Sequence, residues 1–190
     1  MLFTPEMSNN NVFSGNKIYL RPLEPEDLEL LYRWENEVEL WPVSETLSPI
    51  SKYILKKYLA DSHKDIFQVK QQRLIIDTKE NNESIGTIDL YDFDPFHKRA
   101  AVGILVAVKS QRRKGFAIEA LGLLVNYCFD ILKLHQVYCF ISVDNKASLE
   151  LFEKAGFIKT ATKKDWNWNG ESYTDQVLMQ YLNPAHYSEE

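Results

Sequence analysis

The feature that most restricts this chain is a joint at its centre. Nine consecutive apolar residues, Ala100 to Val108, run into the basic turn KSQRRKG and then into GFAIEALGLLVNYCFDIL. A strand without a polar face has to be covered on both sides, and a helix apolar all round has to be buried rather than rest on a surface. The joint therefore reads as the opening of a βαβ crossover in the middle of a sheet, completed by the β-branched and aromatic run HQVYCFISV. At 190 residues, with 45% hydrophobic and 26% charged side chains, the chain suits one well-buried domain. The apolar run is far shorter than the roughly 20 residues that span a bilayer, and MLFTPEMSNNN lacks the basic flank and apolar stretch of a signal peptide. Cys128 and Cys139 lie in YCF and YCFI, where a thiol packs as a small hydrophobe. A cytoplasmic location with no membrane partner is expected.

Around this centre the pattern supplies the other layers. KIYLRPL alternates as a half-buried strand. EPEDLELLYRWENE has Pro25 at a helix start and acids in its first turn, and a second helix is expected with Ser48 as cap, Pro49 in first position and Ile50, Tyr53, Ile54, Lys57 and Tyr58 on one face. IFQVKQQRLIIDT, IGTIDLYDF and AAVGILVAV read as an antiparallel meander. VDNKASLELFEKAGF reads as a short helix between Asn145 and Gly156, and Asn169-Gly170 joins a closing hairpin. The fold class expected is α/β (α+β): a mixed, mostly antiparallel central sheet with one parallel βαβ crossover and flanking helices. Residues 1–16 and 183–190 are expected to be tails around a single domain at 17–182.

A strand that feeds a glycine-containing turn and then a helix presents free backbone N–H groups and the positive end of the helix dipole at one place. Such a place binds phosphate, and Arg112, Arg113 and Lys114 add charge to it. A small residue at Gly115 and Ala117 lets an anion approach the amides. The plainer reading is a solvated basic cap over an ordinary helix start. Neither G-x-x-x-x-G-K-[ST] nor G-x-G-x-x-G is present.

RRKGFA instead fits R/Q-x-x-G-x-G/A, and with DNKASLELFEKAGF about thirty positions later the sequence resembles the GNAT superfamily of acetyl-CoA-dependent N-acetyltransferases. The resemblance runs from Lys17 to about Leu182. It implies acetyl-CoA as cosubstrate, with Val106, Val108, Arg112, Arg113, Lys114, Gly115, Phe116 and Ala117 around the pyrophosphate and pantetheine, and Asn145 and Ser148 facing the pantetheine arm or the nucleotide. It also implies that the strands at 100–108 and 136–143 splay apart. Two departures stand out: the family's tyrosine four residues before Gly-Phe, a proton donor to the departing thiolate, is Phe152 here, and a carboxylate often found on the central strand corresponds to Ala101. Tyr138, Tyr173, Tyr181 or water could replace the donor.

YLRPLEPEDLELLYRWENE, HKRAAVGILV and ILKLHQVYCFISVDNKAS resemble the branch of spermidine and diamine acetyltransferases and their ribosomal-protein relatives. On that resemblance the acceptor is a small polycation, met by Glu35, Glu45 and Asp89, with Glu37 and Glu39 nearby and Trp41 or Trp34 adding a cation–π face. Asp89 alternates with Ile88 and Leu90, so it either points to solvent or lines the acceptor cleft as a substrate contact or base. Asp92 and Asp94 read as turn residues, His97 and His135 as structural, and no spacing suggests a metal. With 22 Lys plus Arg against 27 Asp plus Glu, a net charge of −5, no nucleic-acid partner is expected. The alternatives are a protein N-terminal acetyltransferase and a coenzyme A-binding module without catalysis; a homo-oligomer is a possible assembly.

Overall fold

The computed structural model describes residues 12–44, 46–62 and 64–186. Its sheet has seven strands: β1 (Ile18–Pro22), β2 (Gln72–Thr78), β3 (Ser84–Asp94), β4 (Arg99–Val106), β5 (Gln136–Ser142), β6 (Ile158–Trp168) and β7 (Tyr173–Leu182), in the order β1-β2-β3-β4-β5-β7-β6. Only β4 and β5 are parallel; every other neighbouring pair is antiparallel. Helix α5 (Phe116–Asn126), continued by a π turn through Ile131, makes the crossover between the parallel strands, and α6 (Lys146–Lys154) follows β5. The architecture is the mixed sheet with one βαβ unit that the central joint demands.

Two cores form, one on each face of the sheet. Leu74, Ile76, Ile88 and Leu90 pack with Ala120, Leu121 and Leu124 of α5 and Phe152 of α6. On the opposite face, Ile75 packs against Leu31 and Trp34 of α1 (Leu28–Glu35) and Leu55 and Leu59 of α3 (Lys52–Asp61). α5 is less enclosed than its composition suggests: Gly122, Asn126 and Asp130 form an exposed stripe at four-residue spacing. Cys128 and Cys139 are free and buried in the first core, where burial pushes both thiols up to about 12.

The N-terminal elements depart from expectation for local reasons. Asn36 donates from Nδ2 to the Ile50 carbonyl at 3.0 Å and accepts the Ile50 N–H at Oδ1 at 3.0 Å, which holds the chain extended there. α3 therefore begins after Ser51, whose hydroxyl accepts the Ile54 N–H, rather than at Ser48–Pro49. Its buried face is Leu55 and Leu59, and Tyr53 and Ile54 are exposed. The WPVSETLSP segment contains a 3-10 turn's continuation, α2 (Trp41–Ser44). IFQV is not the start of a strand: Asp65 accepts the Gln68 N–H and caps a turn of helix, α4 (Ile66–Val69), which ends at Lys70 with φ 58°. Both expected tails are partly docked. Phe13 packs on Tyr127, and Asn183 is buried with Nδ2 donating to the Leu134 carbonyl, ahead of a 3-10 turn at Pro184–His186.

Arg21 ties β1 to its surroundings. Its Nη1 and Nη2 meet the Asp27 carboxylate at 2.7 and 2.8 Å, and its Nε meets Asp77 of β2 at 2.7 Å. Asp27 also accepts the Glu24 N–H at 2.8 Å and so caps the turn that leads into α1. Burial alone would raise the Asp27 carboxyl, but the hydrogen bonds from Arg21 and the Glu24 amide hold it below its ordinary value. A lowered carboxyl adds stability that is present above the unfolded value of about 3.9 and is lost as pH falls through the native value. Asp27→Asn is expected to cost about 1–3 kcal/mol at pH 7. The gap to wild type should close in urea unfolding curves taken at successively lower pH below 4.

Candidate active site

The basic turn after β4 has the geometry of an anion site. Lys109–Gln111 forms a 3-10 turn, Arg112 is extended, and Arg113 and Gly115 adopt left-handed conformations with φ of 62° and 88° before α5 begins at Phe116. The first helical hydrogen bond at this end is Glu119 N–H to the Gly115 carbonyl. The amides of residues 113–118 thus have no acceptor among the described residues, at the positive end of the α5 dipole. Arg112, Arg113 and Lys114 are exposed around them. A fourth cation arrives from β1's approach: Lys17 donates from Nζ to the Lys114 carbonyl at 3.1 Å, and its backbone N–H bonds Glu119 Oε1 at 2.9 Å. Nothing in the sequence near residue 112 signals Lys17, which comes from the other end of the chain.

Beside the turn, the parallel strands separate. β4 and β5 are paired at Arg99–Gln136, Ala100–Val137 and Ala101–Tyr138 only. Beyond that point each strand keeps its other neighbour: β4 stays on β3 through Gly86–Val106, followed by Val108 N–H to the Ile85 carbonyl at 3.1 Å, and β5 stays on β7 through Ser142–Gln176. Gly86 is required for the first of these. The Leu105 carbonyl leans over it so closely that a Cβ would overlap the oxygen. The gap leaves backbone of 102–106 facing away from β3 without a strand partner, and Arg112 Nε donates to the Val106 carbonyl there at 2.9 Å. Val108 has both backbone groups engaged, its N–H by Ile85 and its carbonyl by Gln111, so only its side chain is available to a ligand.

α6 follows β5 at the end where the strands part. Asn145 caps it, Oδ1 accepting the Ser148 N–H at 3.1 Å, so both residues lie where β5 ends, and the cap leaves the Asn145 Nδ2 to other partners. Phe152 is 3% exposed and stacks edge-on with Phe157 at 4.9 Å.

On the opposite face of the sheet, register brings Asp89 beside Arg73 on β2 and Gly103 on β4. Arg73 Nε bonds Asp89 at 2.6 Å, and its Nη1 bonds Glu35, at the end of α1, at 2.6 Å. The guanidinium also lies over the Tyr58 ring of α3 at 5.7 Å. One cation against two carboxylates leaves a formal surplus of one negative charge. The three side chains keep 21%, 15% and 18% exposure for Arg73, Asp89 and Glu35, so the cluster is rimmed by solvent but not bathed in it. Burial pushes the Asp89 carboxyl above its ordinary range, against the pull of Arg73.

The family described as acetyltransferase (GNAT) domain matches residues 17–158. The chain belongs to the GNAT acetyltransferase family. Spermidine N(1)-acetyltransferase of Escherichia coli (strain K12) is 26% identical over 178 residues, 89% of this chain and 90% of that protein. An N-acetyltransferase 9-like protein of Nematostella vectensis is 31% identical over 151 residues, 76% of each chain. In fold, the crystal structure of spermidine N-acetyltransferase from Vibrio cholerae in complex with CoA and spermine matches with a TM-score of 0.78 at 23% identity, covering 90% of this chain and 98% of that one. This GNAT chain is therefore an N-acetyltransferase.

Within the GNAT frame, the expected site residues divide into two groups. Arg112 to Ala117, Val106, Asn145 and Ser148 gather at the turn and gap. Glu35 and Asp89 meet through Arg73, a partner that only strand register brings to Asp89, which is neither a solvated carboxylate nor a free one. Trp41 is pinned, its indole N–H donating to the Glu35 carbonyl at 3.0 Å, and Trp34 is core rather than cleft. Glu39 pairs with Lys109, Glu37 is exposed, and Glu45 lies outside the described residues. Asp94 holds the His97 ring and backbone in the β3–β4 turn, and His135 stacks on His186. Of the three tyrosines, Tyr173 is at the exposed hairpin tip and Tyr181 packs on Phe129 and Phe157; Tyr138 alone stands at the last rung before the gap. Among the described residues, no group of three or more His, Cys, Asp or Glu could hold a metal ion, and no helix is long and apolar enough to cross a membrane.

Two glycine substitutions test this geometry. Gly86→Ala forces β4 off β3 and is expected to cost about 1–3 kcal/mol. Gly115→Ala puts a Cβ into a left-handed conformation, with only ordinary contact to Lys17, and is expected to cost about 1 kcal/mol. Urea unfolding of both variants measures the order.

Proposed function

We propose that this GNAT enzyme transfers an acetyl group from acetyl-CoA to a primary amine, with a small polycation such as spermidine or a diamine as the acceptor. The observation that carries the reading is the gap beyond Ala101–Tyr138 lying beside the unpartnered amides of 113–118. A pyrophosphate fits those amides together with Lys17, Arg112, Arg113 and Lys114, and Gly115 and Ala117 keep the approach clear. Strand backbone at Val106, the side chains of Val108 and Phe116, and Asn145 with Ser148 would hold the pantetheine arm. Acetyl-CoA supplies a thioester-activated acetyl group.

The rest falls to the protein. Glu35 and Asp89, with one charge in excess over Arg73, attract and orient the acceptor's ammonium. In this reading Asp89 takes the ammonium proton at a carboxylate oxygen, and its raised pKa narrows the mismatch with an amine of pKa near 10. Tyr138 replaces the hydroxyl that Phe152 lacks: burial, reinforced by Asp92, raises its pKa, so its Oη stays protonated and able to donate to a leaving thiolate at the gap. α1 and α3 wall the acceptor side and restrict water there.

The test is thiol release from acetyl-CoA with spermidine, diamines, aminoglycosides, amino acids and peptide N-termini. Saturable release with spermidine or a diamine is expected. Asp89→Asn should lower kcat/KM by about 100-fold or more, with acetyl-CoA binding retained in calorimetry. No amine giving release above hydrolysis overturns the transfer reading. If acetyl-CoA still binds, and Phe152→Tyr restores nothing, the chain is a coenzyme A-binding module.

A further inference from the structure

Across the gap from Glu35 and Asp89, the uncovered face of the sheet carries an aromatic pair that already holds a cation. Lys163 Nζ lies 3.8 Å from the centre of the Phe140 ring and 4.4 Å from that of Trp166, and it donates to Gln176 Oε1 at 3.4 Å. Register fixes the face. Ala101 pairs with Tyr138, Phe140 follows two residues later, and Phe140 and Ala161 both oppose Leu178 while Lys163 opposes Gln176. These side chains therefore line the same side as Asp89 and Gly103.

Trp166 would not be there in a regular strand, because a residue three positions from Lys163 falls on the other face. The register of β6 shifts between Lys163 and Asn167, and Asp165 takes a left-handed φ of 48°. Asp175 on β7 holds this bulge: its Oδ1 accepts the Asp165 N–H at 3.1 Å and its Oδ2 pairs with Lys164 at 2.7 Å. A non-glycine residue in that conformation persists only where its surroundings over-determine it. The outcome is a tryptophan laid over a lysine ammonium on the face of the sheet that carries Asp89.

We propose that Lys163 is a specificity-determining residue, its ammonium filling the Phe140–Trp166 pair that would otherwise take the far ammonium of a di- or polyamine acceptor. The proposal rests on the amine-acceptor reading above. A cation between two ring faces is attracted by both, and one such position does not accept a second ammonium without like-charge repulsion. Lys163 thus decides where along the cleft the second cation of a di- or polyamine can sit, away from the Phe140–Trp166 pair, and lowers the advantage of a polyamine over a monoamine.

Lys163→Met keeps an apolar stem of similar length and removes the charge. The ratio of kcat/KM for spermidine to that for a monoamine of matched length is expected to rise about fivefold, the size of a single cation–π contact. Lys163→Arg should keep the wild-type ratio, and Trp166→Ala added to Lys163→Met should abolish the gain. A ratio that stays within about twofold of wild type in Lys163→Met overturns the proposal. If neither protein acetylates any amine, the transfer reading falls, and spermidine titrations followed by tryptophan fluorescence decide the fate of Lys163. Quenching at about fivefold lower spermidine in Lys163→Met, lost in Lys163→Met with Trp166→Phe, sustains the proposal; identical titrations overturn it.

Discussion

The separation of β4 from β5 is the constraint on which the site depends. The two parallel strands pair at their first three rungs and then diverge, each staying with its other neighbour. Here β4 is held to β3 through Val108, with the Leu105 carbonyl folded over Gly86, and β5 is held to β7 along its whole length. The exposed strand edge that results would be a hazard on a sheet margin. Inside the sheet, next to the α5 turn and to α6, it leaves a slot whose backbone groups lack a strand partner. Arg112 illustrates the economy of the arrangement, since one side chain both belongs to the anion turn and engages the Val106 carbonyl at the slot.

Charge is organised around this slot in compact groups. On the face covered by α1 and α3, β2 presents Arg73, Ile75 and Asp77 at alternate positions. Asp77 joins Arg21 and Asp27 in a cluster that fastens β1 and the entry to α1, and Arg73 joins Glu35 and Asp89 in a cluster at the cleft rim. Each sets one guanidinium against two carboxylates. What separates their roles is position: the first closes an element junction, and the second keeps partial exposure where an amine could reach it. The basic turn at 112–114, with Lys17, lies at the other mouth, so the net charge of −5 is a sum of opposed local fields.

Much of the fold was legible because its signals are local. The apolar run into a basic glycine turn, the alternation of IGTIDLYDF and the Asn169-Gly170 hairpin each follow from neighbouring residues, and each formed where expected. The errors were at places where a distant side chain intervened. Asn36 reached across to Ile50 and moved the start of α3, and that shift changed which residues of the helix are buried. Asp65 caps a helical turn within a segment that alternates well enough to pass for a strand. At the candidate site, the turn at Arg112 to Ala117 was legible from its own residues, whereas Asp89 could be placed only on a face, with its surroundings open.

By itself the sequence determined the crossover and the basic glycine turn that opens its helix, because each depends on residues within a few positions of one another. Tertiary structure decided the rest. That Lys17 joins the turn, that Arg73 binds Asp89 and Glu35 together, that Tyr138 stands at the end of the β4–β5 pairing, and that Lys163 sits between Phe140 and Trp166 all depend on strand register and on one bulge. Register is a property of two strands at once, so a single run of residues cannot state it.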